Sequence, residues 1–88
     1  VKYTFDLRKA ALNVAKHGVL FEAAEDFEWE FALVDVVLVG QESRLVSTGL
    51  LRERVHVLIV TLRGSEVRII SLRRANRKEV ERYVASQN

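Results

Sequence analysis

The spacing of apolar residues changes period along the chain, and each change marks an element. In the opening KYTF, Tyr3 and Phe5 alternate with polar neighbours, as in a short strand. The next stretch, LRKAALNVAKH, instead sets Leu7, Ala11, Val14 and Ala15 on one face at helical spacing. Asp6 precedes it where a carboxylate can accept an unpaired N–H, and Gly18 follows where a left-handed residue ends a helix, leaving Lys16 and His17 in the last turn. Phe21, Ala24 and Phe27 then recur at i, i+3 and i+6, predicting a second helix of about two turns with its acidic side in water. From FALVDVVLVG onward the pattern is that of strands. RLVSTGLL, RVHVLIVTL and EVRIISL continue it, with turns at Gly40–Ser43 and Arg63–Ser65. The last two strands are nearly continuous apolar runs, as expected of central strands covered by helices. Asn76 and Glu79 form a capping-box pattern, so a final helix should begin just after Asn76 and run to about Ser86. The predicted fold is α+β: a mostly meandering antiparallel sheet with two N-terminal helices and one C-terminal helix packed against it.

Eighty-eight residues suit one domain, 1–88, and a chain of this length buries only about 60 to 65% of the surface it exposes when unfolded. A hydrophobic fraction of 49% with 30% charge is that of a folded domain. No apolar run reaches the roughly 18 residues of a membrane span and no signal-peptide pattern is present, so the cytoplasm is the expected location. The absence of Met at position 1 suggests only that the initiator was removed or not included. With no Cys there is no disulfide framework, and His17 and His56 lack zinc-site spacing, so no metal or other cofactor is expected.

Charge changes the picture more. Residues 1–43 hold four basic and eight acidic side chains, and residues 44–88 hold ten basic and four acidic ones, which makes the second half the polyanion-facing candidate. Arg68 lies inside the last strand, on the face opposite Val67 and Ile69 and on that of Ile70 and Leu72 if alternation holds. It should either pair with Glu66 or another acid, or clamp a phosphate. Arg73 and Arg74 close the strand beside the Asn76 cap, where helix N–H groups favour an anion. They diverge if the strand continues and converge only if the chain turns. Arg77, Lys78 and Arg82 read as helix-surface charges adding general phosphate attraction. His17 with Lys16 could move protons or simply complement the helix end, and His56, between two valines, reads as structural. Trp29 and Phe31 beside the acidic EDFEWE run suit a basic protein partner better than a stacked base.

The segment FDLRKAALNVAKHGVLFEAAEDF, with Lys16-His17-Gly18-Val19, resembles the N-terminal signature of the BrnT family of toxins, and RGSEVRIISLRRANRKEVERY resembles its C-terminal hallmark. Together they span almost the whole chain. Leu20 departs from the family pattern, standing where a Ser or Asp often caps the second helix, and EFALVDVVLVG lacks the usual Asp-Pro. The resemblance implies a RelE-like fold and a ribonuclease toxin of a type II toxin–antitoxin pair, a metal-independent endoribonuclease that inhibits translation. It also implies a BrnA-like antitoxin, a ribbon-helix-helix protein that blocks the toxin and contacts the operon DNA. RNA cleavage needs a deprotonated 2′-hydroxyl, a stabilised phosphorane and a protonated leaving oxygen. The expected phosphate clamps are Arg73, Arg68 and Arg74 with Arg44. His17, Lys16, Glu79 or Tyr83 would handle protons, in that order. The rival reading is a non-catalytic module that binds nucleic acid or a partner through the same basic face.

Overall fold

The computed structural model describes residues 1–88 and orders them as β1 (Tyr3–Thr4), α1 (Leu7–His17), a 3-10 helix (Phe21–Asp26), β2 (Leu33–Val39), β3 (Glu42–Leu51), β4 (Arg54–Arg63), β5 (Glu66–Arg74) and α2 (Arg77–Ser86). The strands form one sheet in the order β1-β5-β4-β3-β2. Strands β2 to β5 make the expected antiparallel meander, but β1 pairs with β5 in parallel, Tyr3 opposite Val67 and Thr4 opposite Arg68, so the sheet is mixed. Parallel pairing follows because α1 and the meander lie between the two strands and return the chain in the same direction. No helix is long and apolar enough to cross a membrane.

The boundaries of α1 follow its sequence signals. The Asp6 carboxylate accepts the N–H groups of Arg8 and Lys9, and Gly18 at φ 71° donates its N–H to the Val14 carbonyl. The second predicted helix is instead a six-residue 3-10 turn, and Leu20 at its start offers no capping bond. The helix α2 opens with the predicted capping box: Asn76 accepts from the Glu79 N–H, and Glu79 accepts from the Asn76 N–H.

The two faces of the sheet are covered differently. One carries the core, where Phe21, Ala24 and Phe27 of the 3-10 region meet Leu51, Leu58, Val60, Ile69 and Leu72. Between Phe27 and β2 the chain crosses directly over Gly49. A Cβ there would lie 3.0 Å from the Phe27 ring and 3.2 Å from the Ala32 side chain, so the crossing requires glycine. The Trp29 indole N–H donates to the Tyr3 hydroxyl at 2.7 Å while its ring packs edge-on against Phe27, which fixes Trp29 to the core; Phe31 remains exposed. The other face holds α2, whose Tyr83 is buried, with Arg82 forming a two-point ion pair to Asp35 of β2.

A bulge decides which side chains reach which face. Ile59 pairs with Ser71 and Val60 with Ile69, leaving Ile70 unopposed. The extra residue reverses the alternation, so Ile69 and Leu72 both enter the core. Arg68 therefore does not share a face with Leu72; it stands on the α2 face in a row with Thr61 and Arg44. Where β1 has ended, the free edge of β5 is completed by Asn13 of α1. Its amide donates to the Leu72 carbonyl at 2.7 Å, and its carbonyl accepts the Leu72 N–H at 3.3 Å. A buried side chain thus satisfies the backbone groups a neighbouring strand would have used.

Candidate active site

The core face ends in a groove of about 610 Å³ at the β3–β4 turn, walled by the end of α1 and the start of the 3-10 helix. His17, His56, Arg52, Arg54 and Arg74 line it together with one acid, Glu22. The backbone explains their convergence. His56 and Arg74 are direct partners across β4 and β5, so they point to the same face, and His56 faces Gly49 on its other side. The space above Gly49 is taken by the Phe27 ring and the Ala32 side chain, and His56 lines the groove beside it. Arg54 shares the face two residues away. Gly18 ends α1 so that His17 enters the same space from the helical wall.

The turn at the rim is unusual. Arg52 and Glu53 both have positive φ, 49° and 71°, in a two-residue hairpin where Asn-Gly would be the ordinary choice. Arg52 donates to Asp26 at 2.9 Å, tying the turn to the 3-10 helix on the opposite wall. Non-glycine residues held in this region mark a backbone over-determined by its surroundings.

His56 is almost fully buried, and its Nδ1 lies 2.9 Å from the Arg54 carbonyl. A carbonyl can only accept, so Nδ1 carries the hydrogen and neutral His56 keeps its lone pair on Nε2. The groove thus combines an imidazole of fixed tautomer, a second imidazole and three guanidinium groups. That set can bind a phosphodiester and exchange protons with its oxygens. Nowhere in the chain do three His, Asp or Glu side chains gather as a metal-ligand set.

The residues expected from the sequence separate into three groups. His17 and Arg74 lie in the groove. Lys16 lies beside it, in a smaller cleft between α1 and β5. Arg73, Arg68, Arg44, Glu79 and Tyr83 belong to the α2 face. The strand continues through Arg74, so Arg73 and Arg74 diverge. Arg73 donates twice to Glu79, at 2.8 and 2.9 Å. That contact, together with the Asn76 N–H, holds the Glu79 carboxyl below its ordinary range, and the Arg73 guanidinium is raised in turn. Arg44 is paired with Glu42 at 3.1 Å. Sequence reasoning missed His56, Arg54 and Arg52. The signal for His56 was its register with Arg74, which becomes readable only once the bulge in the β4–β5 pair is placed.

Fold and groove define a small α+β domain with a cleft lined by two histidines and three arginines. The model of the family described as the ribonuclease toxin BrnT of type II toxin–antitoxin systems matches residues 5–79, and the chain belongs to that family. The fold is similar to the 1.1 Å crystal structure of the ribonuclease toxin BrnT from Brucella abortus, with a TM-score of 0.64 and 28% identity over 88% of this chain and all of that one. Comparison with curated protein sequences gives no match. Membership of a type II system implies a protein antitoxin as partner.

Proposed function

We propose that this chain is a metal-independent endoribonuclease whose scissile phosphate lies in the groove between His17, His56 and Arg74. His56 Nε2 takes the proton of the 2′-hydroxyl, and the freed oxygen attacks the adjacent phosphorus. Arg74 and Arg54 bind the phosphoryl oxygens as the phosphorane gains negative charge. His17, protonated, gives its proton to the departing 5′-oxygen, which leaves a 2′,3′-cyclic phosphate and a free 5′-hydroxyl. The observation that carries this reading is the pairing of His56 with Arg74 across neighbouring strands, with the His56 tautomer set by the Arg54 carbonyl. Arg73 pairs with Glu79, Arg44 pairs with Glu42 and Tyr83 is buried, so these residues and Arg68 lie outside the groove and take no part in the chemistry.

Cleavage of RNA in the cytoplasm inhibits translation, and a BrnA-like ribbon-helix-helix antitoxin blocks the toxin. The test is incubation of a labelled RNA with the purified protein in EDTA, beside the Arg74→Ala variant. The expected result is cleavage to cyclic-phosphate ends by the parent and a loss of about 10²- to 10³-fold in the variant, the scale of one charge-stabilising group. Binding without cleavage by the parent would instead describe a non-catalytic module.

A further inference from the structure

We propose that the cleft between α1 and the bulged part of β5 is a second subsite that binds the single-stranded RNA next to the scissile phosphate. This rests on the nuclease reading of the groove. Lys9, Leu12, Lys16, His17, Ile70 and Ser71 line the cleft, which has a volume of about 210 Å³, and the buried amide of Asn13 forms its floor. His17 lines both this cleft and the groove, so the two adjoin at the end of α1.

The chemistry of the cleft fits a polynucleotide backbone. Lys9, Leu12 and Lys16 stand at i, i+3 and i+7 on one helix face, spaced over about 10 Å along its axis. No acid lines the cleft, and α1 carries none along its length. Neither lysine has an acidic partner within ion-pairing distance, whereas Arg44, Arg52, Arg63, Arg73 and Arg82 each do. Two unneutralised cations therefore flank Leu12, an apolar side chain 63% exposed to water. That alternation of charge and apolar surface matches phosphates separated by sugar and base. The opening exists because β1 stops at Thr4, so on that edge no strand pairs with β5 beyond Arg68.

The test uses two substrates and a non-cleavable ligand. A 2′-O-methyl octaribonucleotide lacks the attacking hydroxyl, so its affinity reads the subsite without chemistry. The combined Lys9→Ala and Lys16→Ala variant is expected to bind it about tenfold more weakly at low salt. Its plot of log affinity against log salt should be shallower by about 1.4, or ~0.7 for each phosphate that a lysine no longer neutralises. Its kcat/KM should fall on an unmodified octamer and stay within about twofold of the parent on a dinucleotide, which spans only the groove. Unchanged octamer affinity and salt slope would overturn the proposal, as would an equal fall on both substrates. A parent protein that binds the octamer with the lysine-dependent slope but cleaves neither substrate would leave the subsite standing and remove the nuclease reading instead.

Discussion

Arg73 separates an active site in the groove from one centred on the strand-to-helix junction. Its guanidinium makes two hydrogen bonds to Glu79, and the two side chains are 30% and 27% exposed. An exposed pair contributes ~0–1 kcal/mol and breaking a fully buried one costs about 3–5 kcal/mol. Arg73→Ala, in a site between these limits and partly screened by water, is therefore expected to cost about 1–2 kcal/mol. Glu79→Ala should cost about 2 kcal/mol, because it also removes the acceptor of the Asn76 N–H at the start of α2. A double-mutant cycle should return a coupling of about 1 kcal/mol. In a domain of this size Arg73→Ala would lower Tm by roughly 5–15 °C. Urea denaturation gives the free energies, and RNA cleavage measured well below the variant's Tm gives the activity, expected within about threefold of the parent. An Arg73→Ala protein of unchanged stability that has lost cleavage by 10²-fold or more would refute the reasoning and move the active site to the α2 face.

Other consequences follow from particular side chains. Asn13→Ala leaves the Leu72 N–H and carbonyl unpaired in a buried place and should cost about 2–3 kcal/mol, read as a lower urea midpoint. Gly49→Ala forces a methyl group against Phe27 and Ala32 and should cost about 1–3 kcal/mol, checked by thermal unfolding. Four carboxyl groups are held below their ordinary range, Glu79 by Arg73, Asp35 by Arg82, Glu42 by Arg44 and Asp6 by the N–H groups of Arg8 and Lys9. The unfolded chain thus binds protons more readily than the folded one in acid. Their contribution to stability is complete above about pH 5 and is lost as pH falls through the depressed native values. A titration of the urea midpoint should show that decline, and it should be shallower in Glu79→Gln.

The elements with local signals are legible in the sequence. Asp6 and Gly18 fix the ends of α1, and the Asn76–Glu79 pair fixes the start of α2, because caps act within a few residues. The four meander strands are legible from their β-branched runs, whereas the 3-10 turn at Phe21–Asp26 carries the apolar spacing of a longer helix. What is not legible depends on register. Near-continuous apolar strands carry no phase, so nothing in EVRIISL shows that Ile70 is the bulged residue or that Leu72 turns to the core. The β3–β4 turn is hidden because Arg52 and Glu53 occupy positions that Gly or Asn ordinarily take. The two-residue β1 could not announce a parallel partner more than sixty residues away. The bulge alone places His56 opposite Arg74 and sends Arg73 to the other face. The candidate site is therefore half visible in the sequence, in His17 and Arg74, and half dependent on pairing across the sheet.

The most direct test of the central claim is the pH dependence of kcat for RNA cleavage by the parent protein and by His56→Ala. The groove mechanism predicts a bell-shaped profile for the parent, with one group acting as base and one as acid. In His56→Ala the rate should fall by about 10²- to 10⁴-fold, the scale of general base catalysis, and the limb that rises from low pH should disappear. A variant that retains both the parental rate and both limbs would contradict the assignment of the groove as the catalytic centre.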